Sequence, residues 1–126
     1  MEFLKNCWYV AAWDHEILAD TLLHRTICDQ SIVLFRSDDN QPRALANRCC
    51  HRHAPLHLGR KEGDCIRCMY HGIKYDSNGR CVEIPGQDLI PEKIVQRSYP
   101  VVQRKRWVWI WMGNSQLADE SQIPDT

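Results

Sequence analysis

The sequence predicts an all-β, antiparallel domain, and three observations carry that prediction. Short runs of β-branched and aromatic residues recur along the 126 residues, divided by polar turn residues. No segment of useful length shows the apolar period of a helix. The pair Asn78-Gly79 sits between two strand-like runs, and that dipeptide tolerates the positive φ of a tight hairpin. Many short strands at this spacing form a barrel or a sandwich. The length suits one domain with a modest core.

Taken in order, CWYVAAW (7–13) is the first expected strand. HRTIC (24–28) and IVLFR (32–36) flank the polar pair Asp29 and Gln30. SDDNQP (37–42) is a turn cluster, and RALAN (43–47) is the next strand. RKEGD (60–64) reads as a turn before a short CIR segment. GIKYDSNGRCVEI (72–84) reads as a hairpin. YPVVQ (99–103) and RWVWIWM (106–112) pair around Arg104 and Lys105. The last run has Trp107, Trp109 and Trp111 on one face and Val108 and Ile110 on the other, so it should be buried on both sides. The tail NSQLADESQIPDT (114–126) has neither pattern and reads as a linker or frayed end. The domain is therefore expected to span 1–113.

Charge excludes some functions. Lysine plus arginine equals aspartate plus glutamate at 16 each, without a basic block, so electrostatic nucleic-acid binding is not expected. No apolar run approaches a membrane span. The N-terminus lacks a basic region and a clear cleavage site, so it does not read as a signal peptide. The expectation is a cytoplasmic protein with no membrane contact. Seven cysteines, an odd number, argue against a disulfide framework in such a chain. Cys7, Cys28 and Cys81 lie in apolar stretches and are expected to pack in the core.

The chemistry concentrates in CCHRHAPLHLG (49–59) and CMYHGIKY (68–75). Cys49 and His51 form a C-x-H pair, and Cys68 and His71 form a C-x2-H pair, with 16 residues between the pairs. Each pair fits the tip of a β loop. Two such loops face to face present two thiolates and two imidazoles, the ligand set of a Rieske [2Fe–2S] centre.

The segments C-C-H-R-H-A-P-L and C-M-Y-H-G resemble the Rieske motif. More specifically, the chain resembles the N-terminal domain of Rieske non-haem iron oxygenases. NCWYVAAW, IPGQ (84–87), YPVV and WVWIWMG resemble the branch that includes vanillate demethylase and toluenesulfonate methyl-monooxygenase. The resemblance implies a Rieske-type β barrel or sandwich. A smaller cluster-binding part, about 47–86, would be formed by the two loops. Cys49 and Cys68 would hold the inner iron, and His51 and His71 the outer iron. Cys50 stands where that family usually has proline. A competing phase, Cys50-x2-His53, would break the match to His51-Arg52 and Ala54-Pro55-Leu56. His53 and His57 match no family ligand and read as exposed loop histidines. Gly72 would let the backbone pass close to the cluster. Arg52 and Tyr70 would support it from outside the ligand set. Tyr75 reads equally as core packing or as a hydrogen-bond donor to the cluster.

The same resemblance implies one-electron transfer from an NAD(P)H-dependent reductase to a mononuclear-iron oxygenase domain, in a full-length protein that can be a homotrimer. The histidines needed for a mononuclear-iron triad are missing here, because His15, His24, His53 and His57 do not fall in that pattern. No catalytic residue is therefore assigned in this chain. The positions that carry a disulfide in respiratory Rieske proteins are Ala54 and Tyr70, and their serine donor is replaced by Ile73. Fewer donors imply a low potential, roughly −150 to 0 mV. Two other readings stand beside this one. One is a free-standing Rieske-type ferredoxin. The other is a structural zinc module, which the mixed Cys/His halves fit less well.

Overall fold

The computed structural model describes residues 5–48, 55–69, 72–86, 90 and 94–123. Among them eleven strands follow in order. They are β1 (Cys7–Trp13), β2 (Leu23–Ile27), β3 (Gln30–Arg36), β4 (Pro42–Ala46), β5 (Arg60–Glu62) and β6 (Cys65–Arg67). The rest are β7 (Lys74–Tyr75), β8 (Cys81–Glu83), β9 (Ser98–Tyr99), β10 (Val101–Arg104) and β11 (Trp107–Met112). They build three antiparallel sheets, β1-β11-β10, β2-β3-β4-β9 and β5-β6-β7-β8. The expected all-β, antiparallel class is the observed one.

The second sheet is the middle layer, and β3 explains why. Ile32, Val33, Leu34 and Phe35 are each 0 % exposed. Successive strand side chains point to opposite faces. Ile32 and Leu34 join Ala44, Val108, Ile110 and Met112 in a first core against the β1-β11-β10 sheet. Val33 and Phe35 join Leu45, Leu56, Ile66, Cys68, Ile73, Tyr75 and Cys81 in a second core under the β5-β6-β7-β8 sheet. Each such side chain contributes about 1.5–3 kcal/mol by leaving water. The strand buried on both sides is thus β3. In β11, Trp107 and Trp109 are only half-buried.

Several local expectations shift. RKEGD is not only a turn. Its first three residues form β5, which pairs with β6 across Gly63-Asp64, with Glu62 opposite Cys65. Cys28 is not in a strand. It makes a two-residue turn with Asp29, at φ 53° and 60°, between Ile27 and Gln30. Two left-handed residues match the twist of the flanking strands. YPVVQ is two strands in two sheets, because β9 pairs with β4 and β10 with β11 on either side of Pro100. In the Asn78-Gly79 hairpin only Gly79 takes a positive φ, at 87°.

The tail is not frayed over its described part. Residues 114–123 carry two single 3-10 turns, Ser115–Leu117 and Glu120–Gln122. Asn114 and Asp119 accept the first free N–H groups of these turns, as N-caps do. The Trp111 indole donates to Asn114 O at 2.8 Å, and the Trp8 indole donates to Asp119 O at 2.8 Å. Ile123 is buried. No helix among the described residues is long and apolar enough to cross a membrane.

Candidate metal centre

Both motif-bearing loops grow from the second core, and each is closed at its base. Asn47 follows β4 directly and His57 lies in the 3-10 turn Leu56–Leu58. His57 N donates to Asn47 Oδ1 at 2.7 Å, which fixes the amide orientation. Asn47 Nδ2 then donates to His57 Nδ1 at 2.7 Å, so the ring proton resides on Nε2. Asn47 is buried and is anchored on β3, with its N–H on Ser31 O at 2.9 Å and Nδ2 on Ser31 Oγ at 3.1 Å. His57 also stacks on His24, with ring centroids 4.6 Å apart. Burial lowers the His57 pKa below its ordinary value, and the His24 charge adds to this. His57 is therefore not the exposed loop histidine that its position suggested.

The second loop leaves β6 at Cys68, which is 1 % exposed, and its base is closed by Cys68 N donating to Ile73 O at 2.7 Å. Gly72 supports the turn at φ 72°, where a Cβ would press on the Pro85 ring at 3.2 Å. The stems of the loops meet where Gly59 lies against the backbone of Arg67, beside the Arg60–Arg67 pair of β5 and β6. Leu58, Gly59, Arg60, Arg67, Cys68, Met69 and Gly72 line one cleft of about 380 Å³.

A charged network covers the outer face of the β5-β6-β7-β8 sheet. Arg67 Nε and Nη2 donate to the Glu62 carboxylate at 2.8 and 3.0 Å. Arg67 Nη1 donates to Gly72 O and to Glu83, both at 2.8 Å. Arg60 and Lys74 complete the cage around Glu62, at 2.8 and 3.4 Å. Donation from Arg67, then from Arg60 and Lys74, holds the Glu62 carboxyl down to about 2. The Arg67 guanidinium is pushed up by Glu62 and Glu83. Arg67 thus holds the second loop by its Gly72 carbonyl. The sequence carries a faint signal for this. Arg67, Lys74 and Glu83 fall opposite one another in register, behind the apolar row Ile66, Tyr75 and Cys81.

Of the expected ligands, Cys68 is described. Cys49, His51 and His71 lie outside the described residues, as do Arg52 and Tyr70 of the supporting set and Cys50 and His53 of the competing phase. Among the described residues no three His, Cys, Asp or Glu side chains converge on a metal position. Tyr75 is 0 % exposed within the second core. The fit to a cluster rests on the donor chemistry at Cys68. Its thiol is buried, it lies beside the cleft at the junction of the loops, and soft sulfur suits iron–sulfur ligation. Asn47, His57, Arg67 and Glu62 were not legible as part of the site, because their roles depend on contacts across the sheets.

Comparison with known proteins gives a consistent answer. Residues 7–100 match the family described as Rieske [2Fe-2S] domain. The chain is 57 % identical, over 98 % of its length, to the iron–sulfur subunit of the toluene-4-sulfonate monooxygenase system of Comamonas testosteroni, and covers 35 % of that subunit. It is 43 % identical, over 99 % of its length, to the oxygenase component of dicamba O-demethylase from Stenotrophomonas maltophilia, covering 37 % of it. The crystal structure of apo dicamba monooxygenase superposes with a TM-score of 0.94 at 40 % identity, over 99 % of this chain and 39 % of that one. The chain thus spans about a third of the length of these curated relatives. They are named as parts of multi-component oxygenase systems.

Proposed function

Since the chain belongs to the Rieske [2Fe–2S] domain family, we propose that it is the electron-transfer domain of an aromatic-compound monooxygenase or O-demethylase. Its cofactor is a Rieske-type [2Fe–2S] cluster. When bound, the cluster supplies one-electron exchange. The electron comes from an NAD(P)H-dependent reductase and passes to a mononuclear-iron oxygenase domain outside these residues. The names of the toluenesulfonate and dicamba relatives support the aromatic class. The full-length protein works in the cytoplasm as a homotrimer.

Cys49, His51, Cys68 and His71 are the ligands in this reading. The single observation that carries it is the meeting of the two hydrogen-bonded loop stems beside the buried Cys68. The residues around the ligands have defined tasks. Asn47 and His57 close the first loop, and Arg67 pins the second by the Gly72 carbonyl. Leu56, Ile66 and Tyr75 exclude water from beneath Cys68. The exposed Leu58 and Met69 flank the cleft mouth, where a partner would approach.

The test is the EPR spectrum of the anaerobically purified, dithionite-reduced chain. A rhombic Rieske signal is expected, with an average g below that of an all-cysteine cluster. Cys49→Ser and His71→Ala should abolish it, and Cys50→Pro should retain it. An EPR-silent chain with stoichiometric zinc and no acid-labile sulfide would refute the assignment. Loss of the signal in Cys50→Pro would move the ligand to Cys50.

A further inference from the structure

We propose that His57 is a positioning residue: its neutral imidazole latches the stem at His57 to the stem at Asn47, and protonating it breaks that latch. This rests on the reading that residues 49 and 51, which lie between these stems in sequence, ligate the cluster. The two stems of the loop, ten residues apart in sequence, are joined by the paired Asn47–His57 hydrogen bonds. One of these requires a lone pair on His57 Nδ1. A protonated ring has only donors, and its Nδ1–H would confront the Asn47 NH2 group. The amide cannot flip to help, because Oδ1 is committed to His57 N and Nδ2 also serves Ser31 Oγ.

The surroundings oppose the charge as well. His24 lies parallel to His57, at an interplanar angle of 13°, and its Nε2 is 2.9 Å from Ser31 Oγ. A cation on one ring therefore disfavours a cation on the other. The other charged groups on these elements lie elsewhere in the sheet or in the adjoining cleft. Arg25 of β2 pairs with Glu16. Asp29, Arg48 and Arg97 line the adjoining cleft with Ser31 and Asn47, where Arg97 bonds Gln30 and Gly113. Among the described residues no carboxylate pairs with either ring, and only His24 acts electrostatically on His57. A histidine whose folded pKa is lowered leaves the latch intact above the ordinary value of about 6.5 and weakens it as the pH falls below that.

The experiment is amide hydrogen exchange over residues 55–59 of the cluster-loaded chain, at about pH 7.5 and about pH 5.5. Rates are corrected for the intrinsic pH dependence, and the EPR signal is quantified on the same samples. In the wild type the opening constant should rise about threefold or more on acidification, with the cluster signal falling in parallel. His57→Gln offers an uncharged carbonyl to the Asn47 amide and should give a flat profile. Asn47→Asp offers a carboxylate to the protonated ring and should reverse the slope. An identical acid response in the wild type and His57→Gln would overturn the latch. So would an unreversed slope in Asn47→Asp, which decides the matter alone if the glutamine variant does not fold. A chain without any cluster would refute the metal-centre reading instead, while the exchange profiles still decide the latch.

Discussion

Gly59→Ala tests the junction of the two loops. Gly59 has a φ of −80°, outside the left-handed region, and the space around it is what a side chain would violate. A Cβ there would fall well inside the van der Waals surface of the Arg67 carbonyl oxygen, and at 3.1 and 3.2 Å from Arg67 C and Leu56 O. All three atoms are backbone, so no side chain can swing away. Relief requires β5 to move off β6 beside the Arg60–Arg67 pair. Overpacking of this kind costs about 1–3 kcal/mol. Losing one ladder hydrogen bond adds about 1 kcal/mol. A total of about 2–4 kcal/mol lowers the Tm of a domain of this size by roughly 8–16 °C. The same displacement moves Cys68 away from the end of the first loop, so the cluster signal should fall with it. The assay is thermal unfolding of the loaded protein by circular dichroism, with EPR quantification of the cluster. Gly86→Ala is the comparison, since its φ of 83° strains alanine but nothing lies within 4 Å of its Cβ. It should cost only about 1–2 kcal/mol and keep the cluster. Full cluster content in Gly59→Ala, with a Tm no lower than that of Gly86→Ala, would refute the reasoning.

Other outcomes follow from the same contacts. Leu34→Ala and Leu45→Ala should each cost about 2–5 kcal/mol in denaturant unfolding. Only Leu45→Ala, which opens the second core, should also reduce EPR-detected loading at moderate temperature. The lowered Glu62 pKa makes its contribution full above the ordinary carboxylate value, lost as the pH falls toward about 2. Acid titration of stability should therefore be flatter over that window in Glu62→Gln than in the wild type, and equal slopes would count against the Arg67 cage. Removing residues 114–126 should expose Trp8 and Trp111 and shift tryptophan emission to the red, because both indoles bond to that segment. Unchanged emission would mean that the segment does not cover the sheet in solution.

The β class, most strand positions and the identity of the cofactor were legible in the order of the residues. Those properties are local. Alternating and β-branched runs specify strands, Asn78-Gly79 specifies a turn, and a C-x-H pair followed by C-x2-H fits few metal centres. Pairing at a distance emerged only on folding. IVLF (32–35) reads as one apolar strand, but only the stacking of sheets on both its faces divides it between two cores. YPVVQ reads as one strand, but its halves bond to different partners across Pro100. The described part of the polar tail, 114–123, is tied down because two tryptophan indoles, over 100 residues away in one case, find acceptors there. Asn47 and His57 look like ordinary loop residues in the sequence. Their bonds exist because the stems of one loop meet over Ser31 of β3. Arg67 gains its role only when Glu62, Glu83 and the Gly72 carbonyl converge on it from two other strands of its sheet and a turn. Periodicity encodes which face a residue occupies. It does not encode which residue waits opposite, and that is where the support of the metal centre lies.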